Sequence, residues 1–192
     1  MHRLSLYEDC IKLNIPCDTH LIDLSKLNWV QYNPRKNNTR YGCSITSLDG
    51  VDSGIPDLDS IIEYNMLYGT KYTEKDFCTL TKHSTPFKYF LNNFEVGRSH
   101  YLHLAPGGHF PWHRDNDPIT VRIVYTIQNC TSDNLVWLED DKTLHLEDNH
   151  WYYINTRKRH SVFSFSNCYF AVFNMIFHTK NFNNLQMHFS LK

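Results

Sequence analysis

Three residues carry the sharpest chemical signal in this chain. His113 and Asp115 flank Arg114 as a His-x-Asp pair, and His160 follows 47 residues after His113. At the end of a strand, two-residue alternation sends His113 and Asp115 to the same face. One imidazole nitrogen and one carboxylate oxygen then grip a single metal ion. A second imidazole, from His160, completes a 2-His-1-carboxylate face. That ligand set leaves three open coordination positions, the arrangement suited to non-haem Fe(II) oxygen chemistry. The setting strengthens the reading: a Pro106-Gly107 turn lies upstream, β-rich sequence surrounds the pair, and His160 opens a strand-like run. His100, His103, His145 and His150 compete for the role, but each reads more simply as a surface or satisfied strand residue.

Two arginines stand out next. Arg122 sits within VRIVYTI, which is apolar on both sides, so a lone guanidinium there is costly unless paired. Its fork suits a carboxylate; the plainer alternative is an edge-strand arginine snorkelling to solvent. Arg98, in VGRSHYLHL, alternates with His100, Leu102 and Leu104. It either projects inward to meet substrate or starts the strand at the surface. Phe110 and Trp112 flank the metal pair and read as pocket wall or core packing. Gly107 and Gly108 read as turn formers. The stripes Tyr152, Ile154, Phe163 and Phe165 read as core. Arg157, Lys158 and Arg159 form a basic run before His160, either a solvated turn or a steering patch for an acidic substrate.

Something must position these side chains. After Gly97 the chain becomes a series of short β-branched and aromatic runs: SHYLHL, TVRIVYTI, NLVWLED, KTLHLED, HWYYINT, HSVFSFS and CYFAVFNMIF. Turn residues separate them at roughly 8–12 residue intervals, the spacing of an all-β sandwich or barrel. Before Gly97 the signals are helical. Pro56-Asp57 precedes LDSIIEYNMLYG, where Leu58, Ile61, Ile62 and Met66 recur at three to four and Gly69 stops the run. TEKDFCTLTKH predicts a second helix and PFKYFLNNF (86–94) a third, while NPRKNNTRYG (33–42) predicts a polar turn region. Helices first, then seven or eight strands, predict a mostly β chain with N-terminal helices around a double-stranded β-helix core, the jelly-roll and cupin-like architecture. We expect one domain over 1–192, with 1–95 as a mixed elaboration and 96–180 as the core.

Composition sets outer bounds. The 192 residues carry 19 Lys+Arg against 20 Asp+Glu, so nothing global favours nucleic acid or acidic membranes. No apolar run approaches the ~18–20 residues of a membrane span. The opening MHRLSLYEDC has no apolar signal region, so we expect a cytoplasmic protein with reduced cysteines. The six cysteines form no CxxC pair, which excludes a zinc ribbon. Twelve histidines suit a metal protein but do not by themselves identify one. Scarce alanine and abundant asparagine suggest an AT-rich genome, as in many phages and viruses, and then a host cytoplasm.

The segments PGGHFPWHRD, VRIVYTI and WYYINTRKRHSVFS together resemble the Fe(II)/2-oxoglutarate-dependent oxygenases, most nearly the aspartyl/asparaginyl β-hydroxylases and related bacterial proline hydroxylases. The resemblance spans about residues 97–178. It implies Fe(II) held by His113, Asp115 and His160, with 2-oxoglutarate as cosubstrate and O2 as oxidant. It implies succinate and CO2 as products, and an amino-acid side chain, free or in a peptide, as the hydroxylated substrate. In that group a basic residue stands ten positions beyond the distal histidine; here that position is Phe170. The far carboxylate of 2-oxoglutarate would then fall to Arg122, with Tyr169 and Asn174 as assisting donors. The resemblance loosely aligns Arg40 with substrate-binding basic residues; a surface role is the alternative. With Arg98, Arg40 completes the substrate candidates. Two other expectations stay open: a jelly-roll binding protein that has lost oxygenase activity, and a cupin-like metalloenzyme working without 2-oxoglutarate. No nucleic-acid or membrane partner is expected.

Overall fold

The computed structural model describes residues 10–32, 39–115, 117 and 119–189. Part of the 33–42 turn region therefore lies outside the described residues. Eight strands run through the second half: β6 (Val96–Leu104), β7 (His109–His113), β8 (Thr120–Gln128), β9 (Leu135–Glu139), β10 (Lys142–Leu144), β11 (Trp151–Ile154), β12 (His160–Ser164) and β13 (Cys168–Ile176). They divide between two antiparallel sheets, changing sheet at each step except from β9 to β10. One contains β11-β8-β13-β6 side by side, the other β10-β9-β12-β7. This is the double-stranded β-helix predicted from strand spacing, and the fold is mostly β with few helices.

The first half is less helical than its sequence suggests. Strands β1 (Cys10–Leu13), β2 (Val30–Gln31) and β3 (Arg40–Ser44) extend the larger sheet to seven strands, in the order β1-β11-β8-β13-β6-β3-β2. Strand β3 pairs with β6 from Arg40↔Leu104 to Ser44↔His100. Strands β4 (Thr46–Ser47) and β5 (Thr79–Leu80) form a separate ladder. Among the described residues there are three α-helices: α1 (Ile61–Tyr68), α2 (Lys88–Asn93) and α3 (Thr179–Gln186).

Helix α1 ends at Gly69, whose φ of 65° is the left-handed cap expected there. Its apolar face does not enter the core, however: Ile62 and Met66 are exposed. The helix predicted over TEKDFCTLTKH is a single 3-10 turn, Glu74–Asp76. Thr73 and Asp76 close a capping box on each other, and Phe77 then drops into the core, so the chain leaves the helical path after one turn. The 86–94 segment forms a 3-10 turn (Lys82–Phe87) that runs into α2.

Each face of the large sheet has its own core, because a central strand alternates side chains between two buried layers. Leu102, Leu104, Val124, Ile154, Phe170 and Val172 face the small sheet and meet Trp137 and Val162 from it. On the other face, Tyr101, Tyr125, Trp151 and Phe173 pack beneath Phe87, Phe90 and Leu185 from the helical segments. Tyr152 and Ile154 are buried as expected. Phe163 and Phe165 are not: they are exposed and touch each other at 5.0 Å between ring centroids. They lie on and just beyond the outer face of β12, which no layer covers among the described residues, so alternation there puts aromatic rings in solvent. All six cysteines are free.

Candidate metal centre

The ladder between β7 and β12 places His113 directly opposite His160. Their ring centroids are 4.1 Å apart. Asp115 lies just past the end of β7, where its backbone N–H donates to the Thr156 carbonyl at 2.9 Å. The ligand atoms of His113, Asp115 and His160 all fall within 4.8 Å of one another. His113 Nε2 stands 3.5 Å from Asp115 Oδ1.

Local backbone contacts choose which imidazole nitrogen is offered. His113 Nδ1 lies 2.7 Å from the Pro111 carbonyl, and His160 Nδ1 lies 3.0 Å from the Lys158 carbonyl. A carbonyl oxygen can only accept, so both Nδ1 atoms carry the proton. Both Nε2 atoms are then left with a lone pair for a metal, and the backbone acts as the orienting outer partner. Burial, which outweighs other influences, depresses the His160 imidazole and favours this neutral form. Burial alone would raise the Asp115 carboxyl, but the Arg122 charge and hydrogen bond, aided by both imidazoles, hold it below its ordinary value.

Arg122 donates from Nε to Asp115 Oδ2 at 2.8 Å. It is thus committed to the carboxylate of the ligand cluster, and its buried Nη1 has no partner. A cavity of about 240 Å3 opens beside this cluster between the two sheets. Arg122, Arg40 and His100 reach its wall from β8, β3 and β6 respectively. Arg40 is only 3% exposed, and its guanidinium carbon sits 4.5 Å over the Phe110 ring. Its Nε has no partner. His100 is wholly buried with an unpartnered Nδ1, and burial together with Arg98 and Arg122 keeps it neutral well below its usual range. Three buried nitrogen groups thus face one small cavity with hydrogen-bonding capacity unused. That state is costly unless an anionic or polar ligand satisfies it.

Several site expectations need correction. Arg98 lies on the inner face of β6, as alternation suggested, but it does not reach the cavity. Its Nε and Nη2 donate to the Glu74 carboxylate at 3.0 and 2.9 Å, and Nη1 donates to the carbonyls of Asp59 and Asp57 at 2.9 and 3.3 Å. A guanidinium so fully engaged is a structural clamp. Tyr169 points away from the cavity, stacked on His103 with centroids 4.4 Å apart and adjoining Trp29. Asn174 sits level with Arg122 across the ladder but donates to Glu74 Oε2 at 2.5 Å and does not line the cavity. Phe170, at the position where the resemblance expects a basic residue, is buried and forms part of the cavity wall.

His103, His145 and His150 are satisfied by ring stacking or hydrogen bonds, as expected. His100 is not a surface residue, and its role as cavity wall was missed. Its alternation with Leu102 and Leu104 was the available signal. Trp112 is half exposed beneath Arg159, whose guanidinium carbon lies 5.2 Å from the ring centroid, so it does not pack the sandwich core.

No helix among the described residues is long and apolar enough to cross a membrane. No family model matches the chain. No curated protein matches it either. Solved structures do show similarity. A 2OG-Fe(II) oxygenase-family oxidoreductase from Burkholderia pseudomallei is similar over 80% of this chain and 74% of its own, at 12% identity and a TM-score of 0.46. A prolyl hydroxylase from Trichoplax adhaerens, in complex with a hypoxia inducible factor peptide fragment, is similar over 83% of this chain and 75% of its own, at 13% identity and a TM-score of 0.42. A predicted oxalate decarboxylase from Thermotoga maritima covers 46% of this chain and 72% of its own, at 15% identity and a TM-score of 0.34.

Proposed function

We propose that this chain is an Fe(II)/2-oxoglutarate-dependent dioxygenase that hydroxylates an amino-acid side chain of aspartyl, asparaginyl or prolyl type, free or in a peptide, with release of succinate and CO2. The single observation that carries the reading is the cluster His113–Asp115–His160 at the wall of a cavity that also meets unpartnered nitrogens of Arg40, Arg122 and His100. The donor set fits Fe(II): two imidazoles presenting Nε2 and one carboxylate. When bound, the iron and cosubstrate supply the oxidising power for hydroxylation.

The chain's own residues bind and orient. His113 and His160 hold the metal through Nε2, each kept in tautomer by a backbone carbonyl. Asp115 supplies the negative ligand, and Arg122 fixes the angle of its carboxylate through Oδ2. Arg40 and His100 are the groups we assign to the far carboxylate of 2-oxoglutarate, with Arg122 Nη1 as a further donor. This departs from an assignment to Arg122 with Tyr169 and Asn174, because the last two turn elsewhere. Phe170 and Trp137 line the same space and add apolar surface to its wall.

The direct experiment loads purified protein with Fe(II) under anaerobic conditions, admits O2 and 2-oxoglutarate, and follows succinate by NMR with a panel of amino acids and peptides. Succinate formation in wild type and its loss in Asp115→Ala are expected. A second reading, a jelly-roll protein that binds ligands without oxidising them, is favoured by Phe170 at the usual basic position. Calorimetry with Mn(II) in place of iron separates the two. Absence of heat with millimolar 2-oxoglutarate would sink the oxygenase reading.

A further inference from the structure

Beyond the cavity, on the opposite side of the large sheet, three side chains of different chemistry converge. Cys43 lies on β3, Asp52 in the loop after β4, and His83 in the 3-10 turn Lys82–Phe87. Their ligand atoms fall within 4.8 Å of one another. We propose that Cys43, Asp52 and His83 form a second, structural metal site for a zinc-class divalent cation, separate from the His113–Asp115–His160 cluster.

The donor set is one thiolate, one imidazole and one carboxylate, which suits a borderline-soft ion such as zinc. Zinc bonds of roughly 2.0–2.3 Å put tetrahedral ligand atoms some 3.3–3.8 Å apart. Ligand atoms as far as 4.8 Å apart must then draw in by up to about 1.5 Å, while the 2.8 Å contact of His83 Nε2 with Asp52 Oδ2 must open slightly. Water would take the fourth position. Each ligand is already held by contacts that owe nothing to a metal. The Asp52 carbonyl accepts from Asn28 Nδ2 at 2.9 Å. The His83 N–H donates to Thr81 Oγ1 at 3.2 Å, and its carbonyl accepts from Tyr101 Oη at 3.0 Å. Cys43 is locked in the β3–β6 ladder opposite Tyr101.

A Cys–His–Asp set can also suggest a nucleophile. Cys43 is only 1% exposed, so no substrate can reach its sulfur. A bare ion needs far less access, and the Asp52 and His83 side chains, 16% and 9% exposed, provide the route. Without metal, Asp52 Oδ2 is shared between His83 Nε2 at 2.8 Å and Lys82 Nζ at 3.2 Å. Lys82 is the competing cation. Its side chain is 70% exposed, so it swings into water at little cost when a metal takes its place. Binding releases the Cys43 thiol proton, so affinity rises with pH. The ion would tie β3, the 48–57 loop and the 3-10 turn together. Strand β3 carries Arg40 to the cavity, so the site would also stiffen the strand that positions Arg40.

Co(II) titration of metal-free protein tests this independently of any catalytic activity. A thiolate-to-cobalt charge-transfer band in the near ultraviolet reports a sulfur ligand, which the His113–Asp115–His160 cluster lacks. The band is expected in wild type and in a His113→Ala/His160→Ala variant, absent in Cys43→Ser, and bleached by zinc. His83→Gln and Asp52→Asn, which keep the sulfur, should weaken cobalt binding by more than ~100-fold, beyond the loss of an outer partner alone. If Cys43→Ser fails to fold by circular dichroism, these two variants decide. The proposal is overturned by no band in folded wild type, by a band that survives Cys43→Ser, or by unchanged affinity in both His83→Gln and Asp52→Asn.

Discussion

Arg122 Nε donates to Asp115 Oδ2 at 2.8 Å, while Asp115 Oδ1 faces His113 Nε2 at 3.5 Å. One carboxylate therefore divides its two oxygens between a guanidinium and the space where the histidines converge. The guanidinium acts as the orienting partner of a ligand. Under the proposed function, that makes Arg122 a positioning residue for metal binding as well as part of the cavity wall.

Arg122→Lys keeps the charge but loses the rigid fork. Its Mn(II) affinity should fall by ~10–100-fold, the cost of losing an outer partner. Isothermal titration with Mn(II), without cosubstrate, gives the answer; an unchanged affinity would show that Asp115 needs no such partner.

Arg40→Gln removes the buried cation over Phe110 while keeping polar reach. Affinity for 2-oxoglutarate in the Mn(II)-loaded protein should drop at least ~10-fold, since a charge-assisted hydrogen bond contributes about 1.5–3 kcal/mol. Mn(II) affinity should not change, because Arg40 touches none of the metal cluster. Equal 2-oxoglutarate affinity in wild type and variant would place the carboxylate elsewhere.

Arg98→Met is expected to destabilise without altering 2-oxoglutarate binding. It strands the Glu74 carboxylate, whose side chain is 16% exposed and which also accepts from Asn174. Breaking a buried pair in this way costs about 3 kcal/mol. Urea unfolding measures the loss. A stable variant with weakened ligand binding would restore Arg98 as a ligand clamp.

The buried Asp57 carboxyl accepts from Ser44 Oγ at 2.9 Å. Burial, its main influence, pushes it up from 3.8 to about 6. A raised acid holds its proton longer in the folded state than in the unfolded one. Its effect on stability is therefore neutral below about pH 4, unfavourable between pH 4 and 6, and constant above that, by at most ~3 kcal/mol. Asp57→Asn removes this penalty and retains an acceptor for Ser44. Relative to wild type, the variant's melting temperature should improve on going from pH 4 to pH 7. A difference that stays flat across that range would show that Asp57 ionises normally.

Much of this architecture was legible in the sequence. Strand spacing after Gly97 pointed to a core of seven or eight strands, because each run alternates or is apolar throughout and each gap carries turn residues; strand β7 (His109–His113), interrupted by Pro111, is the one that no such run marked. Gly69 determined the end of α1. The His-x-Asp spacing, with His160 at the head of a later strand, determined a metal-binding candidate, because alternation on paired strands is a local rule. Tertiary structure decided what local rules do not reach. Whether Arg98 or Arg40 reached the cavity depended on which partner lay across the sheet. Glu74 arrived beside one from a turn 24 residues away, while a ring from the other sheet met the second. Tyr169 and Phe170 are neighbours in sequence, yet alternation on β13 sends one to the outer face and the other to the cavity wall. The burial of His100, and the meeting of Cys43 with Asp52 and His83, are likewise products of packing. Their contacts join segments whose separation in the chain carries no signal of their proximity in space.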